Sequence, residues 1–332
     1  MSTATDVRTM RAVVQDRYGS SEVLRLDRIP RPTPGAGQVL VRVHAAGLDK
    51  GTWHLMVGKP YAVRLVMGVR GPRNPVSGKD VAGTVVEVGA GVTRFAVGDE
   101  VFGIGIGTFA DYTVARVDRL VPKPAKLSFT QAAVVPVSGI TALRAVTDVG
   151  RVTAGQRVLV LGASGGVGSY AVQLAKALGA EVTGVASTGK LDLVRSLGAD
   201  HAIDYTREDF ADGARRYDVI IDIAGNPALS RLRRALTPTG VVALVGGEDA
   251  GKLTGMGRQL RGAALSPFVR QRLALVSPQE SASHIERLAT FIENGTVTPS
   301  VDRTYPLERA PEAMRHLEDG KVRGKVAITV AH

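Results

Sequence analysis

The chain has 332 residues, no cysteine, and 42 basic against 31 acidic side chains, a formal net charge of +11. At roughly 100–200 residues per domain this length suggests two domains, and 44% hydrophobic with 22% charged residues excludes wholesale disorder. Without cysteine there are no disulfides, thiolate zinc sites, iron–sulfur clusters or cysteine nucleophiles, and no apolar run approaches the ~20 residues of a membrane-spanning helix.

Residues 1–10 mix Asp6 with Arg8 and lack an apolar core, so they read as a short polar tail, and the expected location is cytoplasmic. Short strands are predicted at 11–16, 23–28 and 38–45, separated by turn residues such as the Pro/Gly cluster at 30–35, and again at 81–89 and 99–103. Closely spaced strands of this kind suggest a small barrel-like β domain. Helical periodicity takes over near Thr130. From Gln156 strands alternate with helices: strands at 157–162, 181–186, 201–205, 217–225 and 241–247, helices at Ser169–Leu178, Lys190–Leu197 and Leu229–Leu236. That alternation builds a parallel sheet with helices on both faces. A helix at Ser281–Glu293 closes at Asn294 and Gly295, and a last strand at 325–330 is expected to return to the first domain.

The sharpest motif is the glycine loop Gly162–Gly168, set between a buried strand and a helix. Backbone N–H groups and the helix dipole face an anion there, and glycine lets the backbone approach it closely. Ala163 stands at the first glycine position of G-x-G-x-x-G, and Gly165 and Gly168 supply the other two. Alone such a loop is weak evidence; the flanking strand and helix supply the context for a dinucleotide. Ser164, Gly165, Gly166, Val167 and Gly168 are therefore candidate cofactor contacts. About 20 residues on, where an NAD site carries an acid, stands Ser187, with no acid before Asp192. Ser187 and Thr188 can donate to a 2′-phosphate and Lys190 can neutralise it, which favours NADP over NAD. The alternative is a polar turn with Ser187 or Thr188 as an N-cap.

Taken in order, Pro34–Val41, Asp80–Val92, Phe95–Gly103, Thr108–Tyr112, Gly139–Ala142, the glycine loop, Leu197–Asp200 and Arg323–Val326 resemble one family over almost the whole chain. It is the zinc-independent, quinone oxidoreductase (zeta-crystallin-like) group of the medium-chain dehydrogenase/reductase superfamily. Pro60–Pro72 and Ser266–Phe268 look closest to its reticulon-4-interacting-protein-like subgroup. The resemblance implies an α/β chain with a GroES-like β-barrel substrate domain (1–133, resumed at 278–332) and a Rossmann doubly wound parallel sheet for NADP (134–277). It further implies an active site in the cleft between them and a homodimer joined through the cofactor-domain sheets.

Zinc relatives carry a cysteine ligand and a Gly-His-Glu where this chain reads Gly47-Leu48-Asp49-Lys50 and Gly78-Lys79-Asp80, so no metal is expected. The chemistry left is hydride transfer from NADPH to a quinone or to an activated C=C of an enone. The alternatives are a zinc-free aldehyde or ketone reductase, or an NADPH-binding sensor or RNA-binding protein with little turnover.

By the same resemblance Asp49 falls at a family Asn and His54 at a family Tyr. His54 is the expected proton donor or oxyanion partner because imidazole titrates near neutral pH; a loop histidine without a role is the alternative. Asp49 would bond a nicotinamide-ribose hydroxyl or orient His54. Trp53, Tyr61 and Arg64 are candidate substrate contacts, with core packing the other reading for Trp53. Thr141 matches a threonine near the nicotinamide, Tyr205 faces the adenine side, and Ala224, Gly225, Gly246 and Gly247 end strands where ligands bind. Lys50–Lys79 and Gly251–Gln279 are basic without an acidic residue, either solvated or facing an anionic partner. The second stretch reads as a cleft-lining or dimer-contacting insert. With one Trp no base-stacking platform is evident, so nucleic acid is not expected, nor is membrane insertion.

Overall fold

A computed structural model of the chain describes residues 8–246, 257–277 and 279–332. The polar tail before residue 8, Gly247 and Lys252 lie outside the described residues. Strands β1 (Thr9–Val14) and β2 (Arg25–Pro30) pair as an antiparallel ribbon. A larger antiparallel system follows, of β3 (Gln38–Leu48), β4 (Asp80–Val88), β5 (Glu100–Ile104), β6 (Tyr112–Arg116) and β7 (Leu120–Pro122). The second sheet holds β8 (Arg157–Leu161), β9 (Glu181–Ala186), β10 (His201–Asp204), β11 (Tyr217–Asp222), β12 (Leu236–Leu244) and β13 (Arg272–Leu275). The chain then returns to the first sheet with β14 (Val301–Pro306) and β15 (Lys325–Thr329). Helices α1 (Lys50–Val57) and α2 (Val63–Met67) join β3 to β4, and α3 (Phe129–Ala133) and α4 (Pro136–Leu143) follow β7. Helices α5 (Gly166–Ala177), α6 (Leu191–Ser196), α7 (Leu229–Ala235) and α8 (Gly257–Leu265) lie in the connections of the second sheet. Last come α9 (Ala282–Glu293) and α10 (Ala310–Glu318).

The first sheet runs β14-β15-β3-β4-β5-β7, with β6 also on β3. Strand β3 is long enough to serve two partners along one edge. Gln38–Arg42 pair with β6, and Ala45–Leu48 pair with β15. Two register shifts against β4 lie in the same strand; such bulges add twist and bend, which curls the sheet around its core. That core gathers Val39, Val41, Val43, Phe109 and Ile328.

The second sheet runs β10-β9-β8-β11-β12-β13, and every pair is parallel. Its central strands are buried nearly throughout, as a sheet covered on both faces requires. The order turns back between β8 and β11, which is the switch point where such sheets bind ligands outside the strands' carboxyl ends. One apolar cluster runs from Ala82 and Phe102 of the first sheet through Val135 and Ile140 to Val160 and Ile221 of the second, so both sheets share a core.

Most expected elements appear within a few residues. The helical stretch near Thr130 is divided, because Pro136 cannot continue α3 and instead opens α4. The strand expected at 217–225 ends at Asp222, and the one at 241–247 begins five residues earlier, at Leu236.

Candidate active site

The loop from β8 into α5 sits at the switch point. Gly162 takes φ +82°, and a Cβ there would lie 2.8 Å from that of Ala224 at the end of β11. A Cβ at Gly168 would overlap the Gly162 carbonyl oxygen, so only glycine lets α5 pack this closely on its own loop. Gly165 is the N-cap of α5 and no side chain caps the helix, which leaves its first N–H groups and its dipole for an anion. Beyond the ends of β11 and β12, Gly225 takes φ +85° against open space, and a Cβ at Gly246 would overlap the Ile223 carbonyl oxygen. Ser164 ties the loop to the other half of the molecule, because its carbonyl accepts from the Gly324 N–H at 2.8 Å.

Next along the chain is Lys325. Its side chain is buried, with Cδ 2.9 Å from where a Cβ of Gly166 would lie. Its ammonium donates to Ser138 Oγ at 2.9 Å and lies 3.5 Å from Asp80 Oδ2. Asp80 Oδ1 accepts from the Val137 N–H at 2.9 Å. Burial pushes the Asp80 carboxyl up to about 7, against the opposing pull of Lys325. A Cβ at Gly47 would lie 2.9 Å from Asp80 Cβ. The glycine loop and the loop at the end of β3 are therefore one contact chain: Gly166, Lys325, Asp80, Gly47.

Asp49 ends that loop and caps α1, with Oδ1 accepting from the Thr52 N–H at 2.7 Å. Its Oδ2 and Thr52 Oγ1 are buried without a hydrogen-bond partner, a condition that in native proteins calls for a ligand or water. His54 Nδ1 lies 2.9 Å from the Lys59 carbonyl, and its ring meets Trp53 edge-on at 4.9 Å. Trp53 packs on the first sheet's core and donates its indole N–H to Glu318 at 3.0 Å, the packing alternative for that residue. Arg64 donates to the Gly58 and Val57 carbonyls at 2.9 and 3.4 Å and lies over the rings of Tyr18 and Tyr61, so it closes the C-terminus of α1. Tyr61 is exposed. Thr141 donates its hydroxyl to the Val137 carbonyl at 2.7 Å within α4.

Beyond β9, Ser187 occupies the N-cap of a 3-10 turn, Thr188–Lys190, with no bond from its hydroxyl to the turn. Thr188 donates to the Asp204 carboxylate, which also accepts from Thr206 and is held below the usual carboxylate range chiefly by the Thr188 bond. That hydroxyl proton is engaged by Asp204 in this arrangement, so a phosphate expected at Thr188 would share it with the carboxylate. Lys190 reaches the carbonyls of Gly320 and Val322 at 2.6 and 2.9 Å, and burial lowers its pKa. Beside it Arg323 donates to the Gly189 carbonyl at 3.0 Å and pairs with Asp192 at 2.6 Å. Tyr205 lies exposed at the end of β10.

Two buried charge pairs are absent from the sequence reading as functional residues. One is Asp80 with Lys325, whose signal is a lysine inside an otherwise apolar strand. The other is Asp222 with Arg258, at 2.5 Å. Burial pushes Asp222 up to about 6, while Arg258 and Gln259 donate to the Gly246 carbonyl at 3.3 and 2.9 Å. They anchor α8, in the basic stretch, to the carboxyl end of β12.

These residues are similar to known proteins along the whole chain. Residues 35–125 match the family described as alcohol dehydrogenase GroES-like domain, and 197–328 the one described as zinc-binding dehydrogenase. An NADPH-dependent alkenal/one oxidoreductase of Arabidopsis thaliana is 35% identical, over 96% of this chain and 79% of its own. The mitochondrial NAD(P)H oxidoreductase RTN4IP1 of Mus musculus is 33% identical, over 97% and 89%. The structure of a quinone oxidoreductase from Coxiella burnetii superposes with a TM-score of 0.86 at 30% identity, over 98% of this chain and all of that one. The chain belongs to the medium-chain dehydrogenase/reductase superfamily, among its quinone oxidoreductase and RTN4IP1-like members.

The zinc that one family description carries does not fit this donor set. Cysteine is absent, Lys79 pairs with Glu280 at 2.6 Å, and Asp80 is engaged by Val137 and Lys325. Among the described residues no three His, Asp or Glu side chains converge.

Proposed function

We propose that the protein is an NADPH-dependent reductase of quinones or of the activated C=C of enones, working without a metal. The observation that carries this reading is the buried contact chain from Gly166 through Lys325 and Asp80 to Gly47. It sets a dinucleotide-binding loop against a loop whose buried Asp49 Oδ2 and Thr52 Oγ1 have no partner. A bound reduced nicotinamide supplies hydride there. The residues of the chain bind and orient. The α5 N-terminus with Ser164–Gly168 would hold the pyrophosphate, Ala224, Gly225 and Gly246 would admit the dinucleotide at the strand ends, Asp49 Oδ2 would accept a ribose hydroxyl, and Thr141 would lie on the nicotinamide side.

Lys190, with Ser187 and Tyr205 beside it, and Arg323, on exchanging Asp192 for the ligand, would suit a 2′-phosphate better than a bare hydroxyl. His54 donates its Nδ1 proton to the Lys59 carbonyl, which holds the ring in one orientation. So held, the imidazole serves as proton donor or oxyanion partner to the acceptor. Trp53, Tyr61 and Arg64 shape the rim, the last by closing α1. The substrate domain spans 1–133 and 278–332 and the cofactor domain 134–277. Strand β13, an edge of the second sheet, joins two copies into a homodimer, and the protein works in the cytoplasm.

The test is loss of nicotinamide absorbance with NADPH or NADH, with a chelator present, against quinones, enones, aldehydes and ketones. Expected is turnover of quinones or enones that the chelator leaves unchanged, with NADPH preferred at least ~10-fold, the worth of one charge-assisted contact. Turnover of aldehydes or ketones alone would replace this reading with the carbonyl reductase. Tight NADPH binding without oxidation would replace it with the sensor.

A further inference from the structure

The segment that leaves the candidate catalytic loop carries an apolar tip that no hydrophobic cluster among the described residues covers. Helix α2 buries no side chain. Leu65, Val66 and Val69 are 75%, 70% and 68% exposed, with Tyr61 beside them. None of the three aliphatics packs on a hydrophobic cluster.

The tip is held in shape from behind. Arg64 is turned inward onto the Gly58 carbonyl, Tyr18 Oη donates to the Gly68 carbonyl at 2.6 Å, and the Arg73 N–H donates to Met67 at 2.6 Å. A segment fixed in this way presents its apolar side chains at little ordering cost to whatever covers them.

Charge says what that partner is. From Lys50 to Lys79 inclusive there are six basic residues and no acidic one. Lys59, Arg70 and Arg73 are exposed and form no ion pair among the described residues. Arg17 is exposed beside Gly71. Asp16, whose backbone also lies against Gly71, pairs with Arg25 at 2.5 Å. A second copy of this face would bring unpaired cations against unpaired cations, because a two-fold interface sets a patch against itself. Aliphatic residues at a tip, a tyrosine at its edge and a rim of Lys and Arg together make an interfacial anchor for anionic lipid.

We propose that residues 59–73 dock the protein on an anionic membrane surface. Leu65, Val66 and Val69 enter the headgroup–acyl boundary, while Lys59, Arg70 and Arg73 lie against lipid phosphates. No described helix is long and apolar enough to cross a membrane, so the attachment is peripheral. It goes beyond the proposed reductase reading by bringing the loop at 47–56 to the phase where apolar acceptors dissolve. Vesicle binding is read without turnover, so either idea can fail alone.

The experiment is sedimentation of the full chain with vesicles of phosphatidylcholine, with and without added phosphatidylglycerol, at low and high salt. Anionic vesicles are expected to bind at least ~10-fold more strongly, with the excess lost at high salt. Arg70→Gln/Arg73→Gln lowers that binding about 10-fold and Leu65→Ser/Val66→Ser/Val69→Ser by as much or more, with melting temperatures unchanged. Equal binding to both vesicle types, or triple-serine binding equal to that of the parent, overturns the proposal. So does a triple-serine variant whose only change is a smaller mass in solution, since the face would then join two copies.

Discussion

Lys325 and Asp80 are 1% and 0% exposed, and charges taken that far from water are costly unless a partner and further bonds offset the loss. Ser138 and the Val137 N–H supply those bonds, so the pair is held by helix α4 as well as by the two strands that carry it. Such a pair is poor evidence for net stability, yet breaking it from one side leaves a buried carboxyl without the partner that offsets its desolvation. Lys325→Met is therefore expected to cost about 3–5 kcal/mol in urea unfolding. Asp80→Asn/Lys325→Met should recover much of that, because an amide and a thioether need no counter-charge. Strictly additive losses in the double variant would show that the two side chains are not coupled. The same contact explains why Lys325 carries a functional reading here: its stem lies against Gly166, so its loss also moves the glycine loop.

Helix α5 illustrates what one position does for an element. The Gly168 Cα sits against the Gly162 carbonyl, a backbone atom that cannot swing aside. Gly168→Ala must push the first turn of α5 away from the loop and misaim the N–H groups proposed to hold the pyrophosphate. NADPH affinity, followed by nicotinamide fluorescence, should fall at least ~10-fold. An unchanged affinity would remove the loop from the cofactor site.

This element was readable from the sequence, because a buried strand, a glycine turn and a helix follow one another within a dozen residues. Strand β9 was readable for the same reason, with expected and observed bounds both at 181–186. Strands β7 and β13, of three and four residues, are too short to carry a period. Strand β14 has no fully buried position, so apolar patterning gave no sign of it. In the site, Lys190 was legible as a cation but its partners were not, since the Gly320 and Val322 carbonyls lie about 130 positions away in sequence. Asp49 was legible as a departure from the family, whereas its capping of α1 depends on the local backbone turn at the end of β3.

At the scale of the molecule, each sheet carries a carboxylate buried against a buried cation: Asp80 on β4 with Lys325, and Asp222 on β11 with Arg258. Burial raises both above their ordinary value of 3.8, to about 7 and about 6. Exposed acids such as Asp118 and Asp209 are lowered by their own hydrogen bonds and act in the opposite sense. The net charge of +11 grows on acidification and adds a general repulsion. A stability profile of the parent protein alone mixes all of these.

Comparison with Asp222→Asn separates one of them, because the other groups are common to both proteins and Arg258 does not titrate. Between 3.8 and about 6 the folded state keeps a proton on Asp222 that the unfolded chain has released. The stabilising contribution is therefore complete below 3.8 and is lost as the pH rises through about 6. The parent's stability relative to the variant should fall across that window by on the order of 3 kcal/mol, about 1.4 kcal/mol for each unit of displacement, and then level off. The constant part of the difference reports the unpaired Arg258 in the variant. Urea unfolding of both proteins from about pH 4 to about pH 8 measures the slope. A difference that stays flat, or that rises with pH, would mean that Arg258 holds Asp222 ionised throughout and that burial does not control its proton.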